Sequence, residues 1–373
     1  MKSVLTIDED AIAWNYNFLR RRAGSAEVGA AVKADAYGLG AIKIVEVLRD
    51  IGCSTFFTAH YSEAVELREV FDDISIVVLH GIRARDYREA LAYNIIPTIN
   101  HLNDMKSMGD FARSAGKEFP AFVHIDTGMN RLGLSPSEQR LLAEDLSLLK
   151  GIKVKAWMSH FACADDFDSL MTARQRDRFV EAVRPLPAAP ASICNSSGIF
   201  WGEDYLFDLL RPGIALYGGN PTPGVDNPMK PVVELCAPII QIRDVASSMT
   251  VGYGAAHKVE RHKGRIATVA IGYADGYSRY LGEKGVVMIG GFSAPVVGRV
   301  SMDLLTVDVS DVPESKAHIG AMATLIGEHR TIDQIAAECG TIPYEILTGL
   351  GGRIVKEYVG GESRAASYMD AVG

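Results

Sequence analysis

The sequence predicts an α/β protein in two parts: an eight-stranded (β/α)8 barrel, residues 1–228, followed by a mostly antiparallel β domain, residues 229–373. Eight short apolar runs, helical periodicity between them and a change of rhythm after Pro231 carry the prediction. Length supports the division, because one core seldom grows beyond about 250 to 300 residues.

Residues 10–21 have a helical pattern, and the run 28–34, Val-Gly-Ala-Ala-Val-Lys-Ala, reads as a buried strand. Similar runs recur at 55–59, 74–80, 95–100, 121–126, 154–161, 191–196 and 210–216. Helix-like stretches at 41–49, 62–70, 84–91, 102–114, 137–149 and 172–183 lie between them. Strands alternating with such stretches imply parallel pairing through right-handed crossovers, and eight units close into a barrel of the TIM type. After the linker GNPTPGVDNPMKP at 219–231, the runs 232–242, 265–271, 286–289, 296–300, 304–309 and 321–326 are rich in Val and Ile. Gly, Ser or Asp turns separate them with little helix, which reads as antiparallel pairing. One short helix stands out: Thr331 and Gln334 form a capping box, and Ile332, Ile335, Ala336 and Cys339 share a face.

Hydrophobic residues at 48% and charged residues at 23% are globular proportions, which sets aside disorder and collagen-like repetition. The net charge of -8 is spread out and the longest basic run is Arg20-Arg21-Arg22, so nucleic acid is not an expected partner. Cys53, Cys163, Cys194, Cys236 and Cys339 are odd in number and form no CxxC pair. A reducing compartment, the cytoplasm, is therefore expected. Asp8, Glu9 and Asp10 interrupt the N-terminal segment, so neither a signal peptide nor a membrane span is expected to begin there. No later segment approaches about 18 uninterrupted apolar residues, so no membrane partner is expected.

In a parallel barrel the chemistry gathers at the carboxyl ends of the strands. The polar residues at or beside those ends are Lys33, His80, Asn100, Asp126, His160, Asn195 with Ser196, and Arg211. Such groups are costly in a core unless paired, so their shared position points to one wet mouth. Position alone leaves each a structural alternative: Lys33 as a snorkelling lysine, His160 as a satisfied core histidine, Arg211 as half of a buried ion pair. A metal centre is not expected, because His257 and His262 lie in a charged stretch and His60, His80 and His101 form neither HxH nor HExxH.

The segment AAVKADAYGLGA at 30–41 resembles the cofactor-binding signature of bacterial alanine racemases. Further segments follow in the family's order: IDTGMNRLG from Ile125, MSHFACAD from Met158, NSSG from Asn195, RPGIALYG from Arg211, VGYG from Val251, IGYADG from Ile271, GRVSMD from Gly298 and IPYE from Ile342. The resemblance extends over nearly the whole chain. It implies a pyridoxal 5'-phosphate enzyme that interconverts L- and D-alanine by two-base proton transfer, supplying D-alanine for peptidoglycan or serving alanine catabolism. It also implies a homodimer in which each β domain completes the partner's active site, and N-terminal residues that pack with the β domain.

By the same resemblance, Lys33 carries the cofactor as a Schiff base and handles the proton of the D-isomer, and Tyr253 of the partner subunit handles that of the L-isomer. A phenol is an inefficient base at its reference value of about 10, so nearby positive charge is required, and His160 with Arg211 resembles the family arrangement that supplies it. Arg211 matches the arginine at the pyridine nitrogen; Arg131 matches the arginine near the cofactor's phenolic oxygen and the substrate carboxylate. The phosphate falls to Tyr37, Ser196, the backbone at Gly213 and Ile214, and Tyr344, with Asn195 beside it. Met302 corresponds to a residue that limits substrate size. Tyr273 and Tyr344 resemble the inner constriction of the entry channel, and Asp165, Arg279, Arg299 and Ile342 its outer part.

Two positions depart from the family pattern. His124 stands where many members carry a lysine modified as a carbamate that orients the arginine matching Arg131, so Arg131 requires water, an anion or another side chain. Ser301 stands where some relatives have cysteine. A serine or broad-specificity racemase of the same family is the alternative. A decarboxylase is disfavoured by arginine at the 211 position, and a barrel-only cofactor-binding protein by the second domain with Tyr253.

Overall fold

The computed structural model describes residues 2–361, which form two compact units. One comprises Ile12–Leu216 and Asn220–Met229; the other comprises the described residues up to Ala11, Tyr217–Gly219 and those from Lys230 on. Met1 and residues 362–373, which the sequence reading assigns to its two domains, lie outside the described residues.

The first unit is built on a seven-stranded parallel sheet whose spatial order follows the chain: Ala30–Ala31, Thr55–Thr58, Ser75–Val78, Ile95–Ile99, Phe119–His124, Ile152–Met158 and Ala191–Ser192. Every neighbouring pair is parallel. Strands such as Thr55–Thr58 and Ile95–Ile99 are buried at every residue, as expected where both faces of a sheet are covered. The helices Ala41–Asp50, Tyr61–Val70, Leu102–Ser114, Pro136–Glu144 and Leu170–Val183 connect successive strands. Ala41–Asp50 buries Ile44, Val45, Val47 and Leu48, and truncating one such residue to alanine costs about 2 to 5 kcal/mol. Ser135 starts Pro136–Glu144 with a reciprocal cap: its main-chain N–H donates to Glu138 at 2.8 Å and its hydroxyl accepts from the Glu138 N–H.

The eight apolar runs thus appear as seven strands of one sheet and a separate parallel pair, Glu27–Val28 with Leu209–Leu210. Gly29 divides the first run. A Cβ at that position would lie 2.8 Å from both the Phe57 ring and the Thr55 carbonyl. The last run stops being strand after Leu210 because Pro212 has no N–H to give a ladder. Main-chain bonds nevertheless continue on both sides, from Gly29 to Leu210 at 3.0 Å, Ala31 to Pro212 at 2.9 Å, and Arg211 to Cys194 at 3.0 Å.

The second unit is a separate, mostly antiparallel eight-stranded sheet. Its axis is the 13-residue strand Val233–Val245. Irregular register at Leu235/Cys236 and Ile239/Gln241 lets this strand pair with Val4–Asp8, Met322–Ile326 and Gly264–Val269. Pro238 has no N–H, and its carbonyl accepts from Ala270 at 3.0 Å. The one parallel pair is Val4–Asp8 with Val355–Val359. The helix Ile332–Cys339 starts with the Thr331–Gln334 capping box and buries Ile332, Ile335 and Ala336. Among the described residues no helix is long and apolar enough to cross a membrane.

Candidate active site

Lys33 follows the strand Ala30–Ala31, whose extension Val32 donates its N–H to Phe57 O at 2.9 Å. Directly after Lys33 the chain enters the left-handed region for four residues: φ is 53° at Ala34, 53° at Asp35, 51° at Ala36 and 60° at Tyr37. Each costs about 1 to 2 kcal/mol in an L-residue, so other bonds must hold the turn. Ala36 N–H donates to Val32 O at 2.8 Å, and Asp35 Oδ1 accepts from Ala41 N–H at 2.7 Å. Glu63 Oε1 accepts from Ala34 N–H at 2.6 Å. Burial lowers the Lys33 amine from its ordinary range, Arg131 and Arg211 lower it further, and Glu63 opposes them.

Arg211 is 6% exposed. It donates to Ser192 Oγ at 2.5 Å, Ser159 O at 2.6 Å and His160 Nδ1 at 3.2 Å. Burial brings it down to about 10, which leaves it cationic at neutral pH. His160 is held well below its usual value by burial, then by the charges of Arg211, Arg131 and Lys33. Gln175, on the helix Leu170–Val183, fixes the His160 main chain: its Nε2 donates to His160 O at 2.8 Å and to Thr127 Oγ1 at 3.1 Å, and its Oε1 accepts from Ala162 N–H at 2.8 Å. Neither Gln175 nor Glu63 was singled out by the sequence reading. A signal for Gln175 existed, since it shares the buried helix face with Thr172 and Phe179.

His124 does not hold Arg131. Its Nδ1 lies 2.9 Å from Asn100 Oδ1, and Asn100 Nδ2 donates to Leu79 O at 3.1 Å. The Asn100 oxygen is thus the acceptor, and His124 carries its proton on Nδ1. Burial, then Arg211 and Arg131, bring His124 to about 4, with Asp126 opposing. Arg131 is exposed and makes no hydrogen bond or ion pair among the described residues. The loop that carries it is shaped by Asp126 Oδ1, which accepts from Gly128 N–H at 2.9 Å and Asn130 N–H at 3.2 Å.

Ser196 Oγ gathers two main-chain donors, Gly213 N–H at 2.9 Å and Ala215 N–H at 3.3 Å. A Cβ added at Gly213 would lie 2.2 Å from the buried Tyr37 hydroxyl oxygen. Ile214 is buried beside them in sequence. Asn195 uses its amide to join its own turn to a neighbouring segment, accepting from Gly198 N–H at 3.0 Å and donating to Phe161 O at 3.4 Å. Asp165 is exposed in the segment after His160.

The remaining expected residues belong to the other unit and are exposed there: Tyr253 (72%), Met302, Tyr273, Arg279, Arg299, Ile342 and Tyr344. Gly252, at φ 76°, turns the chain into Tyr253, and a Cβ there would meet Arg299 N at 3.3 Å, so the Tyr253 and Arg299 loops adjoin. Tyr273 N–H donates to Ser301 O and Ala274 N–H to Met302 O, joining those two loops as well. The Ser301 hydroxyl donates to Leu304 O at 2.6 Å. Among the described residues no group of three or more His, Cys, Asp or Glu side chains is placed to hold a metal ion.

Two family models match this chain: Alanine racemase, N-terminal domain, over residues 7–221, and Alanine racemase, C-terminal domain, over residues 232–358. The chain is 42% identical over 362 residues to the alanine racemase of Methylobacterium nodulans, covering 97% of each chain. It is 44% identical over 360 residues to that of Rhodospirillum rubrum, covering 96% of each. Among solved structures, the alanine racemase from Bartonella henselae with covalently bound pyridoxal phosphate matches with a TM-score of 0.92 at 37% identity, over 96% of this chain and 100% of that one. By these matches over both units, the chain belongs to the alanine racemase family.

Proposed function

We propose that this chain interconverts L-alanine and D-alanine with pyridoxal phosphate held on Lys33, using Lys33 and Tyr253 of the partner subunit as its two bases. The observation that carries the reading is the setting of Lys33, which follows a buried strand and leads into the left-handed turn tied by Glu63, with its amine lowered from its ordinary range by burial, Arg131 and Arg211. The relatives' shared name supports alanine as the substrate and does not favour the serine or broad-specificity alternative.

The residues present fit the cofactor. The missing Cβ at Gly213 lets the main chain lie against the Tyr37 hydroxyl, which brings that hydroxyl, the Ser196 hydroxyl and the Gly213 and Ala215 N–H groups together, a donor set that suits a phosphate dianion. Tyr37, Ser196, Gly213, Ile214 and Tyr344 would hold the phosphate, with Asn195 shaping the adjoining turn. When bound, pyridoxal phosphate supplies the electron sink that acidifies Cα–H of the amino acid.

The protein's own groups do the rest. Lys33 takes or returns the Cα proton on one face, that of the D-isomer, and Tyr253 of the partner subunit does so on the other. Arg211 is the residue that would stand at the cofactor's ring nitrogen. A fixed guanidinium cannot accept a proton and disfavours a second cation beside it, which keeps charge at Cα and favours quick reprotonation over transamination. Arg211 provides the positive surroundings that a phenol base requires, and the neutral His160, contrary to the expectation that it shares this charge, orients the guanidinium. Arg131 holds the substrate carboxylate. Met302, Tyr273 and Tyr344 restrict substrate size, and Asp165, Arg279, Arg299 and Ile342 form the outer channel.

Further parts of the reading are a closed eight-stranded barrel over residues 1–228, apart from the first residues, which pack with the β domain, a β domain over 229–373, a homodimer with shared sites, and a cytoplasmic location. The main-chain bonds of residues 208–212 to 27–31 on one side and to 191–194 on the other support closure. The exposure of Tyr253 supports its use by a second copy. Free thiols at all five cysteines suit a reducing compartment. Cα hydrogen exchange across an amino-acid panel tests the substrate: alanine should exchange fastest, and faster turnover of serine or lysine overturns the assignment.

A further inference from the structure

Glu63 lies on the helix Tyr61–Val70, where an acid in the first turn reads as an ordinary cap. Its bonds reach further. Oε2 accepts from Ala59 N–H at 2.8 Å and His60 N–H at 2.9 Å, while Oε1 accepts from Ala34 N–H at 2.6 Å. One carboxylate therefore ties the loop after the strand Thr55–Thr58 to the first residue of the left-handed turn. The N–H it receives belongs to the peptide that joins Lys33 to Ala34. A turn of four residues at positive φ persists only where its surroundings over-determine it, and this bond acts on its first member.

We propose that Glu63 is a positioning residue for Lys33, fixing the backbone from which the amine projects and setting a negative charge against the arginines that act on that amine. The inference rests on the reading of Lys33 as the cofactor-bearing lysine. Among the described residues, the charged and titratable groups acting on Lys33 are Arg131, Arg211, Glu63, His80 and His160, and Glu63 is the one acid of these. Glu63 raises the amine while both arginines lower it. It thus keeps the lysine able to carry a proton as well as give one up, which a residue that both takes and returns the Cα proton requires.

Glutamine at this position has one acceptor oxygen and would aim an amide donor at N–H donors. Glu63→Gln therefore removes the charge and part of the clamp, whereas Glu63→Asp keeps the charge and shortens the reach. The test measures, in apoenzyme, the rate of pyridoxal phosphate capture against pH, with borohydride trapping and peptide mapping, alongside kcat and KM for alanine in the reconstituted enzyme. With wild-type label on Lys33, the inference expects the midpoint of amine reactivity to move to lower pH in Glu63→Gln, because the charge that raised it is gone, and to stay in place in Glu63→Asp. It also expects kcat to fall roughly ten- to a hundredfold in both with little change in KM, as a displaced base would give. An unmoved midpoint in folded Glu63→Gln overturns the inference and leaves the function intact. Wild-type label on another lysine overturns both. Should Glu63→Gln not fold, Glu63→Asp decides: a lowered kcat at unchanged KM supports the role, and wild-type kcat contradicts it.

Discussion

Nη2 of Arg211 lies 3.2 Å from Nδ1 of His160. A guanidinium has only donors, so the imidazole accepts and carries its own proton on Nε2. The same nitrogen of Arg211 donates to Ser159 O, and Nη1 donates to Ser192, so one buried cation aligns a neutral histidine and two strand ends. Charge stays on the arginine and not on the ring: burial disfavours the charged form of both groups, but it brings the guanidinium only to about 10 while it holds the imidazole well below its usual value.

Two neutral, buried imidazoles make stability depend on pH. His160 and His124 are both held below 6.5 in the folded chain, His124 at about 4. The unfolded chain therefore binds more protons between those values, and stability present above about pH 6.5 is lost as pH falls toward about 4. For His124 the full loss is about 3 kcal/mol at ~1.4 kcal/mol per pH unit. Urea unfolding should give a lower midpoint near about pH 5 than above about pH 7, and His124→Gln should flatten the difference. A midpoint unchanged over this range would contradict the neutral assignment.

Gly213→Ala would force its methyl group to 2.2 Å from the Tyr37 hydroxyl. Overpacking of this kind costs about 1 to 3 kcal/mol, and here it also closes the proposed phosphate cradle. Dialysis followed by absorbance should show faster loss of cofactor than from wild type, with a lowered Tm. Retention equal to wild type would place the phosphate elsewhere.

Gln175→Leu tests the support beneath His160. The substitution strands the Ala162 N–H and the His160 carbonyl, each at about 1 to 3 kcal/mol. Thermal melts should fall by several degrees, and kcat should drop more than KM changes, since Gln175 touches His160 and not the substrate. A lowered KM-based specificity with intact kcat would mean that the histidine had not moved.

Much of this was legible in the sequence, for reasons tied to period. Runs such as 95–100 and 121–126 are legible because both faces of a parallel sheet are buried and the strands are mostly apolar. The Thr331 cap read correctly because its two partners lie three residues apart. The left-handed turn is not legible: Ala34, Asp35, Ala36 and Tyr37 include no glycine, and the carboxylate that ties its first residue comes from elsewhere in the chain. The same holds for Glu63, whose partner is 29 residues away. Val4–Asp8 was read as part of no strand, because its pairing with Val355–Val359 and Val233–Val245 leaves only a short local trace. At His124 the departure from the family pattern was visible, but its bond to Asn100 was not.

Sharing of the active site between copies has its own test. Lys33→Ala and Tyr253→Phe protomers, each inactive alone, should regain activity when mixed under conditions that form hybrids, because one of the two sites in a hybrid then has both bases. No recovery in a demonstrated hybrid would place both bases in one chain.

The claim on which the rest depends is that the Lys33 amine carries the cofactor. Borohydride reduction of the holoenzyme, digestion and mass spectrometry of the labelled peptide measure it directly. The account predicts reduced pyridoxal phosphate on Lys33 in the segment AAVKADAYGLGA. Label on any other lysine, with Lys33 unmodified, would contradict it.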